Sequence, residues 1–300
     1  MKKLYLLDAN SIFYRAFYAL PHFRTSKGEL TNAIYGFTAT LLHFLLEDEP
    51  DYIAIVFDKG KKTFRHQEYK EYKATRPKAP DELYAQIPKT KEIISAFNFP
   101  IFEEDDYEAD DILGAIALKA QKENPDLKIF IVTSDRDALQ LISDRISVIM
   151  PKKGFNEYEE YSADVLKEKF GLTPQQIPDY KALAGDASDN IKGIKGIGEK
   201  TAKDLLAQYG SLEGIYKNID KIPGALRDKL IEGKSNAEFS KRMATLATDW
   251  PIKFDLKACV ITDFNSQKIK EIFTDLEFKT LLARFEKFKN GTNRQLTIGI

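Results

Sequence analysis

Three short apolar runs, each closed by aspartate, constrain this 300-residue chain more than any other feature. Lys3-Leu-Tyr-Leu-Leu7, Tyr52-Ile-Ala-Ile-Val-Phe57 and Lys128-Ile-Phe-Ile-Val-Thr133 are continuous and carry β-branched or aromatic members, as expected of strands covered on both faces. Helical spacing separates them, over 33–47 (Ile34, Phe37, Leu41, Leu42, Leu45) and 109–122. Strands alternating with helices predict an α/β fold, a mostly parallel central sheet flanked by helices. The runs end in Asp8, in Asp58 and in Ser134-Asp135-Arg136-Asp137. In an open parallel sheet the ligand crevice lies outside the carboxyl ends of the strands. One such aspartate is most often a helix N-cap; four at one sheet edge call for a further reason.

From about residue 160 the pattern turns helical, over 162–170, 174–185, 199–209, 224–232, 236–247 and 266–287, punctuated by Pro174, Pro178, Pro223 and Pro251. One weak strand signal remains at Ala258-Cys-Val-Ile261. No stretch approaches the ~20 apolar residues that span a bilayer, and Asp8 ends the first apolar run too early for a signal peptide. The single Cys259 offers neither an internal disulfide nor a metal cluster, as in a reducing cytoplasm. Net charge is −1, so the distribution of charge carries the information and its sum does not.

The densest acidic stretch is Tyr107-Glu-Ala-Asp-Asp111, which runs straight into the apolar segment that begins at Ile112. Two carboxylates about 4 Å apart repel by about 4 kcal/mol at an effective dielectric of 20. A helix N-terminus returns only about 0.3–1 kcal/mol per acidic residue, so either the side chains fan into solvent or a cation holds them. A further cluster, Gly185-Asp-Ala-Ser-Asp-Asn190, repeats the spacing of Glu108 and Asp111 in Asp186 and Asp189, three apart and on one face of a helical turn. The candidate set is Asp8, Asp58, Glu108, Asp110, Asp111, Asp135, Asp137, Asp186 and Asp189. No His or Cys accompanies them, which selects a hard, oxygen-loving cation, Mg²⁺ or Mn²⁺, over structural Zn²⁺. Two such ions about 3.5–4 Å apart are the usual device for phosphoryl displacement.

Residues 59–78 carry eight Lys/Arg against two Glu, interleaved with Phe64, Tyr69 and Tyr72, a composition suited to a phosphate backbone and unstacked bases. If the region is helical, Tyr69, Tyr72, Lys73 and Arg76 share a face. It follows Asp58 directly, so a mobile basic segment would overhang the acidic edge. Lys192-Gly-Ile-Lys-Gly-Ile-Gly-Glu-Lys-Thr-Ala-Lys203 fails as a nucleotide-binding P-loop, because Glu199 stands where lysine is required. It reads instead as a glycine hairpin between helices. Its backbone N–H groups would face a phosphate, with Lys195, Lys200 and Lys203 around it.

The motifs DAN (8–10), AIYGF (33–37), VFD (56–58), FRHQEYKEYKATR (64–76), YEADD (107–111), TSDRD (133–137), GDASDN (185–190) and GIKGIGEKTA (193–202) together resemble the 5′ nuclease superfamily. The specific likeness is to the bacterial 5′→3′ exonuclease domain of DNA polymerase I and its freestanding flap-endonuclease relatives. The resemblance runs from Leu4 to about Phe285. It implies a PIN-like nuclease core over 1–165, with an arch or clamp at about 64–100. It implies a helical part over 166–290, with a helix-three-turn-helix at about 182–206, and leaves 291–300 as a tail or linker. It places Asp8, Asp58, Glu108, Asp110 and Asp111 in one metal-binding group and Asp135, Asp137, Asp186 and Asp189 in a second. Lys73 and Arg76, with Tyr72 beside them, match residues that contact the scissile phosphate. Arg65, Tyr69, Gly193, Lys195, Gly196, Gly198, Lys200, Thr201 and Lys203 are the expected DNA contacts, with K⁺ at the hairpin carbonyls. Lys192, where many relatives carry proline, departs from the pattern and would loosen the turn.

The expected activity is metal-dependent hydrolysis of DNA at 5′ flaps and ends, in primer removal and repair. The expected partners are branched or nicked duplex with a 5′ single strand, an RNA primer on DNA, and a polymerase domain in cis or in trans. No membrane is expected, and a nucleoid-associated monomer is the default. A PIN-like ribonuclease and a non-catalytic flap-DNA-binding module are the alternatives. The hairpin disfavours the first and the intact carboxylates disfavour the second.

Overall fold

The computed structural model describes residues 1–60, 62–152, 157–261 and 264–298, with side chains as far as residue 291. Lys61 of the basic segment and residues 299–300 of the expected tail lie outside the described residues. Six strands form one sheet: β1 Lys2–Asp8, β2 Tyr52–Val56, β3 Ile101–Phe102, β4 Leu127–Val132, β5 Ile146–Pro151 and β6 Tyr158–Tyr161, in the order β3-β2-β1-β4-β5-β6. All neighbours are parallel except β5 and β6. The three expected strands are β1, β2 and β4. The other three escape a periodicity reading: β3 has two residues, and β6 is a polar edge strand, Tyr-Glu-Glu-Tyr.

Alternation along β1 divides the core. Leu4 and Leu6 pack with Ile112, Leu113 and Ile116 of helix Ala109–Glu123. Tyr5 and Leu7 pack with Ile34, Phe37 and Leu41 of helix Asn32–Glu47 on the opposite face. Both faces are therefore covered, as the unbroken apolar runs require. Register sets the edge: Asp8 lies opposite Val56 and Leu7 opposite Val132, so three strands stop at one level. The strand order reverses at β1, which puts the crevice between β1 and β4.

The second half is helical, with three differences from the sequence reading. Segments 224–232 and 236–247 are one helix, Gly224–Ala244. Segment 266–287 is two helices, Ser266–Asp275 and Lys279–Ile298, broken where Glu277 takes φ 60° between buried Leu276 and Phe278. The second of these continues through residues read as a tail. Ala258–Ile261 is not a strand: Asp255 caps a 3₁₀ turn over Leu256–Cys259, and Val260 makes a single antiparallel bridge to Tyr52. Among the described residues no helix is long and apolar enough to cross a membrane.

Candidate active site

Capping and convergence turn out to be one arrangement. Asp8 caps helix Ala9–Ala19, with Oδ1 accepting from the Ser11 amide at 2.9 Å, and its Oδ2 accepts from Thr133 Oγ1 at 2.7 Å. Asp58 accepts from the Ala109 amide at 2.6 Å, across from its own strand. Asp135 accepts from the Asp137 amide at 2.9 Å. Backbone donors thus aim the carboxylates without neutralising them. Ligand oxygens of Glu108, Asp110 and Asp111 lie within 4.8 Å of one another, as do those of Asp137, Asp186 and Asp189. Asp8, Asp58, Glu108, Asp110, Asp135, Asp137 and Asp186 line a cleft of ≈ 920 Å³, while Asp111 and Asp189 stand behind its wall.

The chain supplies part of the counter-charge. Lys73 Nζ lies 2.6 Å from Glu108, and Arg76 Nη2 lies 2.6 Å from Asp189. Tyr72, buried, donates to Glu108 at 2.8 Å and also contacts Asp189 at 3.1 Å. Lys181 pairs with Asp137 and, at 2.5 Å, with Asp186. Among the described residues Asp8, Asp58, Asp110 and Asp135 make no ion pair. Burial, with the charges of Asp58 and Asp135, pushes Asp8 up to about 7 against the hydrogen bonds from Ser11 and Thr133. Burial likewise raises Asp58, and burial with Asp111 and Glu108 raises Asp110 well above the carboxylate range. Burial pushes on Glu108 and Asp186 too, but Lys73 and Arg65 hold the first below its ordinary value and Lys181 the second.

Three expectations about the basic segment need correcting. The helix stops at Glu68, and Lys73 takes φ 54°, so Tyr69, Tyr72, Lys73 and Arg76 do not form a helical face. The segment is folded down onto the acidic cleft, with the Lys73 amide donating to Asp189 O at 3.1 Å, and does not overhang it freely. Arg65 is 1% exposed and pairs with Asp111 inside the protein, so it presents no face to DNA. Tyr69 tethers the segment to the GDASDN turn through Asn190 O at 3.1 Å and packs edge-on against Phe239. On the far side of Lys73 and Arg76 a smaller chamber of ≈ 210 Å³ opens, also bounded by Asp58 and Glu108.

The glycine hairpin is built by close approach. A Cβ on Gly193 would sit 2.4 Å from Ala184 C and Gly185 N, and Gly196 takes φ +79°. Ile191, Ile194 and Ile197 bury themselves beneath it, leaving Lys195, Gly196, Gly198 and Lys200 exposed and Thr201 and Lys203 half-buried. The Lys192 carbonyl accepts from Asn236 at 2.8 Å and from Ser240 at 2.7 Å, so the turn is tied where proline is missing. The Gly193 carbonyl accepts from Asn236 at 3.0 Å, and the Gly196 carbonyl from Lys229 at 3.3 Å.

Residues 3–171 match the family described as 5′-3′ exonuclease, N-terminal resolvase-like domain, and residues 172–267 that described as 5′-3′ exonuclease, C-terminal SAM fold. The chain belongs to the 5′-3′ exonuclease family. DNA polymerase I of Caldicellulosiruptor bescii is 47% identical over 284 residues, covering 94% of this chain and 33% of that protein. The chain thus spans about a third of the length of the curated relatives it matches. T5 5′-exonuclease, solved with bound divalent metal ions (zinc), matches with a TM-score of 0.68 at 22% identity, covering 91% of this chain and 99% of that one. The catalytic core of Rad2, solved with DNA substrate, matches with a TM-score of 0.60 at 17% identity, covering 92% and 88%. At these identities the structural likeness is one of fold.

For a 5′-3′ exonuclease the donor set of the cleft is coherent. Its acidic ligands are seven carboxylates, with no Cys or His among the described lining residues, which fits hard divalent cations. Sequence reasoning missed Lys181, whose only local signal is its place one turn before the Gly185 cap. It also missed the tyrosines of the rim, Tyr14 and Tyr84 joined hydroxyl to hydroxyl at 3.0 Å and Tyr18 beside them.

Proposed function

We propose that the chain hydrolyses DNA phosphodiesters at 5′ flaps and 5′ ends of branched or nicked duplexes, releasing 5′-phosphate and 3′-hydroxyl products, in primer removal and repair. The observation that carries this reading is the convergence of carboxylates from the sheet edge and from the helical half on one cleft, with Asp8, Asp58, Asp110 and Asp135 making no ion pair among the described residues. Glu108, Asp110, Asp58 and Asp8 would hold one divalent ion, and Asp135, Asp137 and Asp186 another, Mg²⁺ or Mn²⁺. Bound there, such ions would supply a hydroxide and neutralise the leaving oxygen.

The chain's own residues do the rest. The exposed hairpin glycines with Lys195 and Lys200 offer amides and positive charge to a duplex backbone without reading sequence. Lys73 and Arg76 stand between the main cleft and the chamber beyond, placed to balance charge on a phosphate and to line the path of a 5′ single strand. Tyr72 joins Glu108 to Asp189 and keeps the two acidic groups in register. K⁺ at the hairpin carbonyls, an RNA primer on DNA as substrate, a polymerase domain in cis or in trans, and a monomeric state belong to the same reading.

A labelled 5′-flap duplex tests it. With Mg²⁺ the flap is released near the junction, and with chelator it is not. An intact flap at stoichiometric protein would leave a binding module, and preferential cleavage of single-stranded RNA would favour a ribonuclease.

A further inference from the structure

Arg65 is fully used inside the protein. Its Nη1 donates to Asp111 Oδ2 at 2.7 Å and Glu108 Oε2 at 3.1 Å, and its Nη2 to Asp111 Oδ1 at 2.8 Å. Nε donates to Met243 O and Nη2 to Thr245 O, both at 3.0 Å. The planar fork of a guanidinium matches this set, whereas the point charge of a lysine ammonium does not. Asp111 is equally saturated. Besides the fork it accepts from the Glu108 amide at 3.1 Å and the Ala247 amide at 2.7 Å, and it is wholly buried. It acts as an anchor, and the carboxylate it anchors is Glu108, at the wall of the cleft.

The carbonyls that fix Arg65 come from the end of helix Gly224–Ala244 and the residue after it. Earlier on that helix Asn236 and Ser240, four residues apart and on one face, hold the Lys192 and Gly193 carbonyls of the hairpin. From Asn236 to Met243 the helix rises about 10 Å. One rigid element therefore touches the hairpin with its middle and the Arg65 clasp with its end.

We propose that Arg65 is a positioning residue for the reaction, clamping Glu108 and Asp111 to the carbonyls at 243 and 245 and so tying the first acidic group to the helix that carries the glycine hairpin. This rests on the reading of Glu108 as part of an ion-binding group. Partners that orient metal ligands from behind are typically worth about 10–100-fold in metal affinity, and this one acts through Glu108 without reaching the cleft itself.

The test uses the full chain with Arg65→Lys, which keeps the charge and loses the fork, alongside Arg65→Gln, with folding checked by circular dichroism. In Arg65→Lys, Mn²⁺ affinity measured calorimetrically without DNA falls about tenfold or more. Exchange of the Ala247 amide quickens about tenfold, and binding of a 5′-flap duplex in chelator stays within about twofold of wild type. Unchanged Mn²⁺ affinity in the folded variant overturns the proposal, as does lost flap affinity with Mn²⁺ binding intact, which would make Arg65 a DNA contact. Wild-type protein that takes up no Mn²⁺ would sink the metal reading instead. The clasp is then decided by the Ala247 amide: faster exchange in Arg65→Lys upholds it, and equal rates overturn it.

Discussion

The two acidic groups are both built of carboxylates and are quenched in different ways. In the second, Lys181 sits on Asp137 and Asp186, and Arg76 on Asp189, which leaves Asp135 as the one member without an ion pair among the described residues. In the first, Arg65 and Lys73 both go to Glu108, and Arg65 also takes Asp111, so among the described residues Asp8, Asp58 and Asp110 line the cleft without an ion pair. The oxygens of Glu108, Asp110 and Asp111 lie within 4.8 Å of one another, as do those of Asp137, Asp186 and Asp189. Carboxylates at that separation repel by roughly 3–4 kcal/mol at an effective dielectric of 20, more than the about 1 kcal/mol a helix N-terminus returns. In the first group burial, with that repulsion, raises Asp8, Asp58 and Asp110, and an arriving cation relieves the repulsion. The second already carries ammonium and guanidinium groups that an arriving cation must displace. Acidic clusters that look alike in sequence are thus unequal as ion sites.

The largest effect expected is on turnover. Asp135→Asn should lower flap cleavage by about a thousandfold or more while flap binding in chelator changes less than about threefold. A parallel collapse of binding would take Asp135 out of the ion-holding set and place it in the DNA interface. Stability should then separate the groups by sign. In chelator, Asp110→Asn removes a repelling charge while an amide oxygen can still accept from the Asp111 amide, which it meets at 2.8 Å, so the melting temperature rises. Asp186→Asn takes a partner from Lys181 and costs roughly 1–3 kcal/mol, or a fall of about 2–4 °C per kcal/mol. Shifts of the same sign in calorimetry would break the comparison.

What could be read from the sequence is what local pattern and strand ends encode. Asp8, Asp58 and Asp135 were placeable because a parallel sheet stops its strands at one level, and Gly193 because a hairpin between helices needs close approach. Lys181 was not, since its bond to Asp137 crosses 44 residues and nothing in its own helix marks it. Arg65 was misread for the same reason. Beside aromatics a cation looks like a nucleic-acid contact, and only the partners 46, 178 and 180 residues away bring it inside. Lys73 shows the converse: its left-handed backbone breaks the helix that spacing suggested, yet Lys73 and Arg76 still reach the acidic cleft and Tyr72 the carboxylates of Glu108 and Asp189, because a turn can gather what a helical face would have spread.

The smallest effect tests the unpaired group through its protons. Burial first, then the neighbouring carboxylates, pushes Asp8 up to about 7, so between the ordinary carboxylate value and that point the folded chain keeps a proton the unfolded chain has released. Stability then falls as pH rises through this window, and the raised values of Asp58 and Asp110 act in the same sense. The depressed Glu108 and Asp186 change their contribution only at lower pH. His43 and His66, held down by burial, work the other way near their own range, which makes the raw melting curve ambiguous. The difference between Asp8→Asn and wild type cancels them. In chelator that difference should be near zero at about pH 4, widen in favour of Asp8→Asn up to about pH 7, and level off above. Saturating Mn²⁺ should reverse it by stabilising wild type alone. A difference that stays flat across the window would mean Asp8 is ionised and solvated after all, and the first group no more in need of a cation than the second.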